Sequence, residues 1–168
     1  MKKTALILSV LICSVVSIAQ LKIASTDQFS VEDKGKTVAS FSIDQSENFE
    51  SKNIGDVKTA SSKGEERNTR KNVKGILLKE VLHKITFSVA SPKELNKYIF
   101  LLEATDGYKV VLSRNEVFNT ENLYLITESN GIPIRQSPDR IEVLALSEPG
   151  KGHIYMKGLK KITILRIN

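Results

Sequence analysis

The sequence predicts an α+β domain, a strand-rich mixed sheet with a few short helices. Three observations predict it. Stretches of Ile, Val, Leu, Tyr and Phe too short for helices recur along the C-terminal two thirds. Turn-forming pairs separate them: Asp106-Gly107, Asn130-Gly131 and Pro149-Gly150. Only residues 76–85 carry an apolar spacing of three and four that outlasts a single turn.

Taken in order, residues 1–19 read as a secretory signal. Lys2 and Lys3 precede the apolar run 5–16, and Ser17-Ile18-Ala19 supplies the cleavage region. A transmembrane helix needs roughly 20 apolar residues, more than this run holds. Cys13 is the only cysteine of the chain, and Ile12 before it is larger than a lipoprotein signal wants. Cleavage after Ala19 is therefore expected over lipid attachment. The expected mature domain, 20–168, then has no disulfide, no cysteine nucleophile and no thiolate for a metal. Periplasm or exterior is the expected compartment, with no stable membrane insertion. Of the 25 Lys and Arg residues, Lys2 and Lys3 lie in the leader, so the remainder exceeds the 19 Asp and Glu by four. That excess is too mild for a nucleic-acid footprint.

Residues 20–74 form a polar N-terminal part, and 75–168 the more sharply patterned core. Phe29 with Val31, and Phe41 with Ile43, suggest two strands. Residues 46–74 show little periodicity and read as loops around one short element at 54–57. Leu77, Leu78, Val81, Leu82 and Ile85 predict an amphipathic helix over 76–85, with His83 on its exposed face. Ser91-Pro92-Lys93-Glu94 reads as a capping box that opens one helical turn ending near Asn96. Residues 98–105 and 108–112 form a hairpin about Asp106-Gly107, a turn that gives Asp106 a structural rather than catalytic role. One helical turn at 115–118 follows, then a strand at 123–127, the Asn130-Gly131 turn and 132–134. Residues 141–146 read as a strand buried on both faces, residues 149–152 as a turn, and 162–167 as a last alternating strand.

Several chemistries are excluded. There is no Gly-x-Ser-x-Gly elbow, and Gly150-Lys151-Gly152-His153 lacks phosphate-loop spacing. His83 and His153, the only histidines, fall in no metal-ligand pattern, so neither a metal site nor a catalytic residue is assigned. The basic stretch 63–74 is the most suggestive segment. Arg67, Arg70 and Lys71 there, with Arg140 and Lys157 at strand mouths, are the candidate residues for an anionic ligand. Solvated, partly self-neutralised charge is the plainer account of the same residues.

The order of these pieces resembles a known family. Lys74-Gly75-Ile76-Leu77-Leu78-Lys79-Glu80-Val81-Leu82 is similar to the "tGvpLadLL" helix of the sulfite-oxidase-type molybdopterin-binding domain. Residues 102–113 with Glu116 resemble its "DGY" hairpin, and 125–134 its "nGkpL" segment. Residues 140–145 and 155–162 resemble its two closing strands. The resemblance runs over 74–167 and implies that family's fold and a molybdopterin cofactor. In the full-length enzymes a cysteine upstream of the "tGvpLadLL" helix ligates molybdenum; the matching region here, 61–74, holds Ser61, Ser62 and Thr69 but no cysteine. The expectation is thus a non-catalytic exported member of the fold, with no cofactor, binding a small anionic ligand or a partner protein of the envelope. A molybdopterin oxidoreductase with an unusual metal sphere and an envelope structural or adhesion module are the alternatives.

Overall fold

The computed structural model describes residues 23–60, 66–86, 91–148 and 150–167, so the expected signal at 1–19 lies outside the described residues. Eleven strands fill most of that chain: β1 (Gln28–Asp33), β2 (Lys36–Ser42), β3 (Lys52–Ala60), β4 (Glu66–Leu77), β5 (Tyr98–Ala104), β6 (Lys109–Ser113), β7 (Leu123–Ser129), β8 (Ile132–Pro133), β9 (Glu142–Glu148), β10 (Lys151–Lys157) and β11 (Leu159–Arg166). Two short helices, α1 (Leu78–Val81) and α2 (Arg114–Phe118), and three 3-10 turns interrupt them. The molecule is strand-rich and mixed, as expected.

One sheet runs β2-β1-β11-β5-β6, with β1 and β11 parallel. The other runs β4-β3-β10-β9-β7-β8, and β4 also pairs with β7. That last pairing joins β4, β3, β10, β9 and β7 into a hydrogen-bonded ring. β4 can serve two neighbours because it is long: its first part faces β3, and Lys74 to Leu77 face β7. Gly75 takes part in both pairings, opposite Lys52 on β3 and Ile126 on β7.

The main core lies between the five-stranded sheet and the ring. Phe29, Phe41, Phe100 and Ile162 come from the sheet; Ile76, Leu125, Val143 and Met156 come from the ring. A second cluster of Val57, Val73, Ile126 and Leu144 takes the opposite faces of the ring strands. Successive residues of a strand point to opposite faces, so Val143 and Ala145 join the main core while Leu144 turns into the ring. This explains the continuous burial of residues 141–145 on both faces. In β5, by contrast, only alternate residues are buried, as a sheet with one solvated face requires.

Four expectations need correction. The supposed loops of 46–74 are largely the β3–β4 pair. Few inward apolar residues mark it (Ile54, Val57, Val73), and register shifts near Gly55 and Thr59 break its alternation. The helix of 76–85 is cut to Leu78–Val81, because Ile76 and Leu77 pair with Leu125 and Tyr124; a helix this short has little stability of its own to oppose ring closure. Ser91 has no side-chain capping bond, so the capping box does not form. Glu94 instead contacts Lys97 and Arg166, which hold its carboxyl below the usual range, Lys97 chiefly by hydrogen bonding. Residues 151–152, expected in a turn, open β10. A capping box does form at α2, where Ser113 accepts from the Glu116 amide and Glu116 reaches back to the Ser113 amide.

The hairpins follow their turn residues. Between β7 and β8, Asn130 and Gly131 both take positive φ, 54° and 74°, the geometry a two-residue hairpin favours. Between β5 and β6, Gly107 alone has positive φ and Asp106 accepts from the Tyr108 amide, so the connection is a wider loop with a glycine bulge.

Candidate functional site

A cavity of ≈ 130 Å³ opens where β8 and residues 134–141 pass over β4, β7 and β9. Arg70, Ser129, Ser137, Asp139, Arg140 and Glu142 supply its polar wall; Ile126, Ile132 and Ile134 supply its apolar one. Thr59, Leu144 and Tyr155 close a smaller space within the ring that shares Arg70, Ser129 and Glu142.

Strand register assembles the polar wall. Glu142 and Leu144 lie on one face of β9, and β10 sets Lys157 opposite Glu142 and Tyr155 opposite Leu144. Tyr155 and Glu142 are therefore diagonal neighbours, within reach for a long side chain. The Tyr155 hydroxyl donates to Glu142 Oε2, and Ser137 Oγ donates to Glu142 Oε1 at 3.0 Å. Glu142 is 3% exposed. β4 brings Arg70 to Tyr155 from the other side, its Cζ 5.1 Å from the ring centroid. The Lys157 ammonium lies 5.9 Å from the same centroid and pairs with Asp139.

Of the five candidate residues, the structure brings three to this place. Arg70 and Arg140 line the cavity, and Lys157 stands behind it through Asp139 and Tyr155. Arg140 adopts φ 46° and pairs with Asp27. Lys71 is exposed and is held by its backbone, whose N–H donates to Asn130 Oδ1 at 2.8 Å. Arg67 is placed on β4 by its backbone alone. The three candidate residues of the supposed loop, Arg67, Arg70 and Lys71, thus belong to a strand. Glu142, Tyr155, Ser129 and Ser137 escaped sequence reasoning. Glu142 alone left a signal: it is the one charged residue inside a run that otherwise reads as buried on both faces.

The ionic pairing is uneven. Glu128 is paired with Lys74 at 2.9 Å, Asp139 with Lys157 and Arg140 with Asp27. Among the described residues neither Arg70 nor Glu142 has an ion pair. Ser129 Oγ is buried with no hydrogen-bond partner among the described residues. His83 sits in the turn after α1 and His153 on β10, both exposed. No group of three or more His, Cys, Asp or Glu residues that could hold a metal occurs among the described residues. No helix among them is long and apolar enough to cross a membrane.

Burial, and then the neighbouring Glu142 charge, raise the Tyr155 phenol far above the ordinary tyrosine range. The folded protein keeps that proton where the unfolded chain releases it near pH 10, so the resulting stability is present below pH 10 and declines as pH rises further. Alkaline melts of wild type and Tyr155→Phe, followed with phenolate absorbance, should show a steeper loss above pH 10 in wild type. A Tyr155 phenolate appearing near pH 10 in the folded protein would contradict the assignment.

Fold and site together define a strand-rich α+β protein with a five-stranded ring and a small polar cavity at the ring. Comparison of the chain with family models, curated proteins and solved structures returns no match.

Proposed function

We propose that the chain is an exported, non-catalytic binding domain on a scaffold of the sulfite-oxidase molybdopterin type, holding a small anionic ligand at Arg70. One observation carries the binding reading: Arg70 presents a guanidinium without an ion pair to a cavity whose other wall offers a buried, unpartnered hydroxyl, Ser129 Oγ. A guanidinium gives a fork of donors suited to carboxylate or oxyanion, and the Tyr155 ring beneath its Cζ helps to hold it in place. The scaffold reading is supported by the order of the motifs along 74–167 and by the Asp106-Gly107 and Asn130-Gly131 hairpins where the resemblance puts them.

Molybdopterin does not fit the donor set. The region equivalent to the metal-binding loop of the enzymes has no thiolate, and Thr69 on β4 is a hard hydroxyl that would not replace one. No step is therefore assigned to that cofactor. Protein produced with its leader in a host that makes the cofactor should contain neither molybdenum nor pterin. A stoichiometric amount of either overturns the binding-only reading.

The direct test is calorimetry with sulfate, phosphate and short carboxylates on wild type, Arg70→Ala and Arg140→Ala. Loss of a charged hydrogen-bonding group should weaken the bound anion about 10- to 100-fold. Arg70→Ala should cost stability about 1–2 kcal/mol, the scale of a partly buried cation–π contact. If both variants bind as wild type does, the site is wrongly placed.

A second reading, docking of a partner protein, has its own observation. β2 and β6 end the five-stranded sheet, and on them Val38 and Val111 are 50% and 59% exposed. Open strand edges accept added strands. Capture from the native envelope should then yield a stoichiometric partner that a lysine at Val111 abolishes.

A further inference from the structure

We propose that the ligand of this cavity is a zwitterion of the α-amino-acid class, its carboxylate on Arg70 and its ammonium on Glu142. The inference rests on the anion-binding reading above and adds the cationic half of the ligand. Its basis is the charge left over after every pair at the cavity is made. Lys74 answers Glu128, Lys157 answers Asp139, and Asp27 answers Arg140. What remains at the cavity, among the described residues, is one guanidinium, Arg70, and one buried carboxylate, Glu142.

A buried charge is normally paired or neutralised. Glu142 has two hydroxyl donors, Tyr155 and Ser137, and no cation. An ionised carboxylate offers about four acceptor positions, so about two stay open for a donor with positive charge. Tyr155 holds the two unmatched groups apart, with Arg70 on its ring and Glu142 on its hydroxyl, so they do not neutralise each other. A ligand with an ammonium and a carboxylate on one carbon spans such a divided pair. An anion alone would leave Glu142 unanswered, and an amine alone would leave Arg70 so.

The remaining walls suit the rest of the molecule. Ile126, Ile132 and Ile134 present an apolar surface to a side chain, while Ser129 Oγ offers the hydrogen-bonding group still without a partner. The ≈ 130 Å³ of the cavity is roughly tenfold what a single water needs, which admits a small organic molecule and excludes a large one.

The experiment compares the common L-amino acids with their deaminated carboxylates and decarboxylated amines, for example L-valine with 3-methylbutanoate and isobutylamine, by calorimetry at low salt on the leaderless chain. At least one L-amino acid should bind about tenfold or more tightly than both of its truncated counterparts, the scale of one charge-assisted hydrogen bond. Glu142→Gln should erase the preference over the carboxylate while leaving the carboxylate bound, and Arg70→Ala should weaken both. Equal binding of amino acid and carboxylate to wild type overturns the zwitterion and leaves the anion site standing. Binding of neither overturns both. The wild-type comparison decides the matter even if Glu142→Gln does not fold.

Discussion

Phe100→Ala should unfold the protein more readily than any surface change, costing about 3–5 kcal/mol, as large-to-small substitutions of buried aromatics do. Phe100 is fully buried in β5, and its ring centroid lies 5.7 Å from that of Phe118 on α2. It belongs to the main core between sheet and ring, so the cavity left behind would be walled by both layers and could not close by moving one of them. Chemical denaturation should show a lower midpoint with an unchanged slope. A loss of less than about 1 kcal/mol would mean that the two layers pack far more loosely than their burial indicates.

Gly75→Val should be nearly as damaging, for a different reason. A Cβ at Gly75 would stand 2.9 Å from the Leu125 carbonyl oxygen, 3.1 Å from Tyr124 Cβ and 3.2 Å from Ile54 Cδ1. The Ile54 methyl can turn aside, but the carbonyl belongs to the strand against which β4 closes the ring. The two strands must separate to admit the side chain. Overpacking of this kind costs about 1–3 kcal/mol, and the branched side chain places Val at the upper end. Hydrogen exchange gives the sharper test: amides of 74–77 and 124–128 should lose protection before those of β5 and β11. Uniform loss across both sheets would show that Gly75 supports the whole fold rather than ring closure. Gly152→Ala is a useful contrast, since its closest contact, at 2.7 Å, is the Leu144 Cδ1 methyl rather than backbone.

These two positions also show how far the residues themselves could be read. Phe100 alternates with Tyr98 and Leu102 in a run that marks a half-buried strand without reference to anything else. Gly75 carried no such mark; it read as the residue just before a helix, because apolar spacing at 76–85 fits a helix when the partner strand is unknown. β4, and β3 beyond the short element expected at 54–57, were missed for a related reason. Their inward side chains line a narrow ring that needs only a few apolar residues, and their bulges break the period of two on which strand reading depends.

The site divides in the same way. Arg70, in a basic loop, and Arg140 and Lys157, at strand mouths, could be named as candidates because cations in such places are suspicious by type alone. Nothing along the chain linked Tyr155 to Glu142, which become neighbours only through the antiparallel register of β9 and β10. Lys71, one residue from Arg70, was an equal candidate until strand geometry turned it outward.

The sequence by itself determined the class: local propensity, turn residues and apolar periodicity are short-range properties, and they specify a strand-rich α+β chain and its hairpins. Only the tertiary structure decided that β4 closes a ring and that an unpaired guanidinium and an unpaired carboxylate share one cavity. Both depend on pairings between residues distant in the chain, whose stability comes from burial and register rather than from any local preference.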